Sequence, residues 1–425
     1  MTSILIKNAQ SVGTDGALIR QDILVIDDII TKVATNIKET TDRVIDANGA
    51  LVTPGLVDVH VHFREPGFGY KETVTTGSKA AARGGFTTVL AMPNLDPVPD
   101  NLENFQMIQA NNEANSLIHL KQYAAISTAL TTEEVSDIDA LAKAGAVAFT
   151  NDGKGVQTAA TMLMAMKAAA KVQRPLVAHV EDNSLINGGV MNLGEKSKAL
   201  QLPGMDPLGE SSQLARDLVL AKASGVHYHV AHLSTKSSVA LVRFAKSQGV
   251  NVTAEVSPHH LLLDETHITG DNAYFKMNPP LRTPADRTAV IAGLLDGTID
   301  MVATDHAPHS KAEKEGSFIG AAFGITGIET SFQLLYTHLV KPGIATLNQL
   351  LDWMVVKPQQ AFGLQGAQKI AAGQPADLAL FDISHAYKIT ADEFASKGVN
   401  TPFIGATIYG QTVLTMVDGQ IVYEA

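Results

Sequence analysis

A chain of 425 residues, 45% hydrophobic and 18% charged, carries enough apolar material for one large core and a smaller second one. With 43 acidic against 32 basic residues the net charge is -11, which leaves no basic surface with which to neutralise a nucleic-acid backbone. The absence of cysteine removes disulfides, thiolate metal sites and cysteine nucleophiles together, so any metal must rest on histidine and carboxylate ligands.

The chain opens with Met1-Thr2-Ser3-Ile4-Leu5-Ile6-Lys7, which has no basic segment leading into an apolar one and does not read as a signal peptide. No apolar run approaches the roughly 20 residues that span a bilayer, so no membrane association and a cytoplasmic location are expected. Short runs such as Ile4-Leu5-Ile6 and Asp22-Ile23-Leu24-Val25-Ile26, punctuated by Gly and Asp, predict a small β-sheet. From about residue 54 the pattern changes to alternating strand and helix. Strands are predicted at 56–63, Thr87–Met92, Leu120–Ile126, Ala146–Thr150, Pro175–His179, Tyr228–His232, Asn251–Val256 and Met301–Thr304. Ala-rich helical stretches such as Thr158–Lys171 and Ser211–Ser224 lie between them. The tail returns to β language in Asp377–Asp382, Thr412–Val417 and Gln420–Tyr423, the last two joined by an Asp418-Gly419 hairpin turn. The α/β expectation is therefore a (β/α)8 TIM-like barrel over residues 54–362, with one small β-rich domain built from both chain ends, 1–53 plus 363–425.

The ends of the predicted strands carry the chemistry. Strand one closes on Val59-His60-Val61-His62 with Arg64 just beyond; side chains two apart on a strand point the same way, so the two imidazoles can meet one point in space. Met92-Pro93-Asn94 follows strand two and Thr150-Asn151-Asp152-Gly153 strand four; His179 ends strand five and His232 strand six. Strand eight runs into Thr304-Asp305-His306-Ala307-Pro308-His309. Taken singly, a histidine here reads as a core histidine, and Asp152 or Asp305 as a helix cap or turn former. Their joint occurrence at one end of separate strands points to metal. Four His and two Asp are too many for one tetrahedral zinc with an open position, but suit two ions about 3.5–4 Å apart with a shared carboxylate. A water between such ions ionises near neutral pH, and Asp305 is placed to act as its proton shuttle.

These residues resemble the amidohydrolase superfamily and, more narrowly, the bacterial dihydroorotases. The likeness is carried by Asp58-Val59-His60-Val61-His62-Phe63-Arg64-Glu65-Pro66-Gly67, Ala91-Met92-Pro93-Asn94, Lys276-Met277-Asn278-Pro279-Pro280-Leu281-Arg282 and Ala303-Thr304-Asp305-His306-Ala307-Pro308-His309, and it runs over essentially the whole chain. The resemblance implies two divalent metal ions per chain, expected to be zinc. It gives His60, His62 and Asp305 to one ion, His179 and His232 to the other, and Asp152 as the bridge. Many relatives bridge with a carboxylated lysine, which keeps Lys154 as the alternative. On the substrate side it implies Arg64 as a planar fork for a carboxylate, with Asn94 and His309 donating beside it and His62 close by. Asn278 and the backbone of Phe323-Gly324 would contact the ring.

The activity so implied is the reversible interconversion of N-carbamoyl-L-aspartate and (S)-dihydroorotate plus water in pyrimidine synthesis. The alternatives are another cyclic-amide hydrolase (a hydantoinase, dihydropyrimidinase or allantoinase) and a non-catalytic dihydroorotase-like partner protein. A homodimer is expected, with association to other pyrimidine-pathway enzymes conceivable. His259-His260, ending strand seven, would support the site from behind. His119, His227, His229, His267, His338 and His385 show no partner pattern, and Ser310–Gly316 reads as a polar mobile loop near the mouth.

Overall fold

The computed structural model describes residues 2–425. Five strands come first: β1 (Ser3–Val12), β2 (Leu18–Ile26), β3 (Ile29–Ala34), β4 (Arg43–Asp46) and β5 (Leu51–Pro54). A long α/β region follows with β6 (Leu56–Val61), β7 (Phe86–Ala91), β8 (His119–Gln122), β9 (Ala124–Ala125), β10 (Phe149–Thr150), β11 (Leu176–Ala178), β12 (Met191–Asn192), β13 (Gly204–Met205), β14 (Tyr228–Val230), β15 (Val252–Val256) and β16 (Met301–Val302). The chain closes with β17 (Leu378–Lys388), β18 (Thr407–Val417) and β19 (Gln420–Glu424).

Strands from the two ends share one sheet in the order β19-β18-β17-β5-β1-β2-β3, with β4 alongside β1. The alternation of the sequence explains its faces. Ile4, Ile6, Ile23, Val25, Val52, Leu378, Leu380, Leu414 and Met416 share one buried cluster, whereas Leu5 and Leu24 turn the other way onto Ile37. Along β17 the residues between, Ala379 and Phe381, join the large core of the α/β region instead. The Asp418-Gly419 turn links β18 to β19 as expected; both residues have positive φ (48° and 71°), the geometry that fits a two-residue hairpin.

The α/β region holds parallel strands in two runs, β6-β7-β8 and β9-β10-β11-β14-β15-β16. Tyr123, between β8 and β9, donates its backbone N–H to Ala91 O and its hydroxyl to Val59 O, which keeps the two runs adjacent. At the other edge Val61 bridges His306 in parallel, and His62 N–H donates to His306 O. Val57, Val59, Leu90, Met92, Ala148, Val177, Ala231, Met301 and Ala303 cluster on the inner face, and Ala-rich helices cover the outer one. The predicted helix at Thr158 begins at Ala159 because the Thr158 hydroxyl caps Thr161 N–H; the one predicted from Ser211 begins earlier, at Leu208.

Strands four and seven end where expected, at Thr150 and Val256, but others stop short: His179, His232 and Thr304, expected inside strands, lie just past β11, β14 and β16. The backbone there leaves the ladder to aim side chains inward, and His232 and Asp305 have left-handed φ (32° and 49°). His259 and His260 sit on a short helix, Pro258–Leu262, rather than on a strand end. The segment read as a mobile loop instead holds a helical turn, Lys311–Lys314, with a Ser310–Glu313 capping pair and a buried Lys314. No helix of the described residues is long and apolar enough to cross a membrane.

The two-ended sheet yields a stability prediction. A Cβ on Gly419 would lie 1.7 Å from Asp27 O, at a φ of +71°. Gly419→Ala is expected to destabilise the protein by ~2 kcal/mol or more, read as a clear fall in the thermal midpoint. An unchanged midpoint would mean that the tail hairpin does not pack on the β2–β3 turn.

Candidate metal centre and active site

The first two site histidines come from a strand locked at both ends of the α/β region. His60 lies on β6 and is fully buried; His62 follows directly and is nearly so. Asp58, on the same face, accepts from His60 N–H (3.1 Å) and from Thr304 N–H (3.0 Å) and hydroxyl, tying β6 to the chain leaving β16. Burial raises the Asp58 carboxyl to about 7 against the pull of these donors.

Asp152 is held out past β10 by its neighbour. Asn151 Oδ1 accepts from Ile126 and Ser127 N–H while its amide donates to Ser127 Oγ and Leu130 O. The Asp152 carboxylate then stands among four imidazoles: Oδ1 is 3.4 Å from His60 Nε2, 3.4 Å from His232 Nε2 and 3.7 Å from His179 Nδ1, and Oδ2 is 3.4 Å from His62 Nε2. Asp305 Oδ1 lies 3.4 Å from His60 Nε2 and 3.1 Å from His62 Nε2. Ligands about 2.1 Å from one zinc in tetrahedral array are about 3.4 Å apart. Most of these separations therefore match ligand edges better than hydrogen bonds. His60 Nε2 and Asp152 Oδ1 are both buried without a hydrogen-bond partner, which a cation between them would satisfy. All six predicted ligands thus converge, and the donor set fits two divalent ions with Asp152 shared. Lys154 is exposed, two residues further along.

Groups behind the ligands set their tautomers. His60 Nδ1 lies 2.6 Å from Glu255 Oε1, and His62 Nδ1 2.9 Å from Asn94 Oδ1. Both oxygens can only accept, so each ring carries a proton on Nδ1, which leaves Nε2 as the nitrogen a metal ion at the centre would take. His179 is reversed, with Nδ1 inward and Nε2 3.5 Å from Glu181 Oε2. Glu255 also accepts from His232 N–H and lies 3.1 Å from His229 Nε2. Its own burial would raise its pKa, but His60 and His229 hold it down to about 2. In the metal-free protein the His60 ring is likewise desolvated, yet Asp152 and Glu255 hold its pKa well above the ordinary histidine value. A proton there competes with metal.

Glu255 and Glu181 were missed in the sequence. A signal existed for the first, a lone carboxylate in the otherwise apolar strand end Ala254-Glu255-Val256. His229, His119, His227, His267 and His385, read as lacking a partner pattern, do have partners in Glu255, Asp377, Thr253, Asp264 and Asp382.

On the substrate side, Arg64 is buried with φ 61°, its Nε 3.4 Å from Pro308 O and its Nη2 3.4 Å from His309 Nε2. Burial draws its pKa down to about 10, against nearby Asp305 and Asp152. Left-handed φ at Arg64, His232 and Asp305 concentrates backbone strain at this one place. His309 Nε2 lies 2.7 Å from Phe323 O, and burial beside Arg64 draws the ring's pKa down to about 3, so the neutral ring holds the Phe323 segment, with a buried Nδ1 3.8 Å from Glu313 Oε2. Asn94 keeps its Nδ2 free of His62. Gly324 N–H donates to Lys276 O, and its carbonyl accepts from Lys314 Nζ and Asn400 Nδ2. Asn278 Nδ2 donates to Glu181 Oε2 at 2.6 Å.

A Dihydro-orotase-like family model matches residues 49–238. Over 423 residues the chain is 55% identical to a dihydroorotase of Ligilactobacillus salivarius (strain UCC118), covering 99% of this chain and 98% of the relative. It is 54% identical over 421 residues to a dihydroorotase of Enterococcus faecalis (strain ATCC 700802 / V583), covering 99% and 98%. Among solved structures it is similar to an L-hydantoinase (dihydropyrimidinase) from Arthrobacter aurescens, with TM-score 0.88 and 26% identity over 100% of this chain and 96% of that one. A D-hydantoinase (dihydropyrimidinase) from Thermus sp. gives TM-score 0.83 and 27% identity over 99% and 95%.

The geometry around Asp152 makes a direct prediction. Asp152→Ala is expected to lose at least one metal ion per chain, whereas Lys154→Ala keeps full metal and its activity stays indifferent to bicarbonate. Elemental analysis of the two purified variants decides it, and full metal in Asp152→Ala would return the bridge to Lys154.

Proposed function

The chain belongs to the dihydroorotase family, and from that premise we propose that it interconverts N-carbamoyl-L-aspartate and (S)-dihydroorotate plus water, a step in making the pyrimidine ring. The observation that carries the reading is the convergence of six buried metal-type ligands, with the buried Arg64 fork carrying its charge near two of them, Asp305 and Asp152. We read the parallel strands as a closed (β/α)8 barrel over residues 54–362, with a composite β domain from 1–53 and 363–425. The Val61–His306 bridge supports closure.

His60, His62 and Asp305 would hold one divalent ion, His179 and His232 a second, and Asp152 both; zinc suits these ligands. When bound, such ions supply Lewis acidity and ease the ionisation of water. The chain's own residues do the rest. Arg64 pairs its guanidinium with the substrate carboxylate, and Asn94 Nδ2 donates beside it. That anchoring fixes the ring so that its amide carbonyl faces the ligand cluster. Asp305 stays ionised in spite of its burial, because the positive charge carried by the surrounding groups, His60 foremost, holds its pKa far below the usual carboxylate range. It takes one proton from the attacking water and hands it to the departing ring nitrogen, so the amide C–N bond breaks as the new carboxyl group forms, and the second proton of the water passes to solvent as that group ionises. His309 keeps Phe323 and the facing backbone in place.

The hydantoinase likeness is one of fold at low identity, and a neutral hydantoin gives the Arg64 fork no carboxylate to grip. Turnover measured on dihydroorotate, carbamoyl-aspartate, hydantoin and allantoin should be confined to the first two. Arg64→Lys should raise KM for both at least tenfold, since a point charge cannot reproduce a bidentate fork. Efficient hydantoin hydrolysis, or unchanged KM in Arg64→Lys, would overturn the carboxylate assignment.

Asp305→Asn should keep its far-ultraviolet circular dichroism yet lose at least 100-fold in kcat, the low end for a lost general acid–base. Retention of more than about a tenth of the activity would remove Asp305 from the proton path.

A further inference from the structure

Asn278 sits half-buried beside the ligand cluster, its Nδ2 3.4 Å from His179 Nε2. Its backbone has little freedom. The next residue is Pro279, whose carbonyl accepts from His260 Nε2 at 3.0 Å. What remains free is the orientation of the side-chain amide, which decides whether it shows the site an N–H pair or an oxygen.

Glu181 settles that choice. It lies two residues past His179, its N–H donates to Gln213 Oε1 at 3.1 Å, and its carbonyl accepts from Gln157 Nε2 at 2.9 Å. Gly155 packs so close that a Cβ there would stand 2.0 Å from the Glu181 carbonyl oxygen. So anchored, Glu181 puts Oε2 2.6 Å from Asn278 Nδ2 and 3.5 Å from His179 Nε2. An ionised carboxylate only accepts, so the Asn278 amino group must face it. Asn278 Oδ1, which has no hydrogen bond among the described residues, is turned the other way.

We propose that Glu181 is a positioning residue that fixes the Asn278 amide with its oxygen toward the substrate, so that Asn278 accepts a hydrogen bond from a ring N–H and reads the cyclic amide by its donor. This rests on the dihydroorotase reading above. Arg64 and Asn94 Nδ2 offer donors, which suit the carboxylate, whereas a ring N–H needs an acceptor. If the amide turned over, an amino group would meet a ring N–H, donor against donor. A polar group of the substrate left unpaired in this way typically costs about tenfold in binding.

The test measures KM and kcat for dihydroorotate, with metal content determined alongside, in wild type, Glu181→Ala, Glu181→Gln, Asn278→Ala and the Glu181→Ala/Asn278→Ala double variant. Because Glu181 also faces His179 Nε2, each variant is assayed with metal restored to full content; Glu181→Ala should then raise KM about tenfold with kcat per bound metal within threefold of wild type. Glu181→Gln should restore KM to within about twofold, because its Oε1 can take the place of Oε2. In the Asn278→Ala background, loss of Glu181 should change KM no further. Unchanged KM in Glu181→Ala, an equal effect with and without Asn278, or a KM rise that disappears when metal is restored to full content would each overturn the proposal. Absence of dihydroorotate turnover in the wild type would instead overturn the functional reading on which it stands.

Discussion

Three buried carboxylates, Asp152, Asp305 and Glu255, surround one buried imidazole, His60, and this concentration of charge governs much of the architecture around it. Carboxylates are not removed from water without a cation or several donors to receive them. The surrounding rings satisfy part of that demand and a pair of divalent ions would satisfy the rest. The metal ligands and the groups behind them therefore form one electrostatic unit. Glu255 and Asn94 are as necessary to it as the ligands they orient, because a histidine with its proton on the inward nitrogen cannot bind metal.

Holding such a cluster requires a scaffold that does not relax around it. Asp58 joins β6 to the chain leaving β16, Tyr123 joins the two strand runs, and Asn151 pins the turn that presents Asp152. The left-handed backbone at Arg64, His232 and Asp305 is kept in place by these ties. On the substrate side, two buried lysines play a comparable part. Lys276 Nζ donates to Phe318 O and Ala321 O, and Lys314 Nζ to Lys276 O, Ala322 O and Gly324 O, so the segment carrying Phe323 is gathered by lysine hydrogen bonds to carbonyls.

The legible parts of this design were those with a period or a repeated context. His60 and His62 announced themselves because a strand repeats every two residues, and Asp152, His179, His232 and Asp305 because each closes an apolar run. The order of the strands and the pairing of the two chain ends were readable for the same reason. Glu255 and Glu181 were harder, since each is a single carboxylate whose partner lies on a different strand and whose meaning is entirely tertiary. Lys314 misled because a charged, glycine-flanked stretch normally stays in water; here convergent carbonyls make burial tolerable. The strands leading to His179, His232 and Thr304 end earlier than expected because these residues belong by composition to the strand but by backbone geometry to the turn beyond it. The contact of His309 with Phe323 O is one that nothing local in the sequence reveals.

The sheet that combines β1–β5 with β17–β19 has a consequence for the order of events during synthesis. Leu51 in β5 pairs with Phe381, and Pro54 with Leu378, so the inner edge of the N-terminal strands stays open until almost the whole chain has left the ribosome. An uncovered strand edge invites pairing with other chains, and contacts so distant in sequence form slowly. The newborn protein therefore passes through an interval in which its first strands have no proper neighbour. Shielding of that edge, by a chaperone or by early packing of the α/β region, decides how much of the chain reaches its final form, and the last fifty residues act in effect as the clasp.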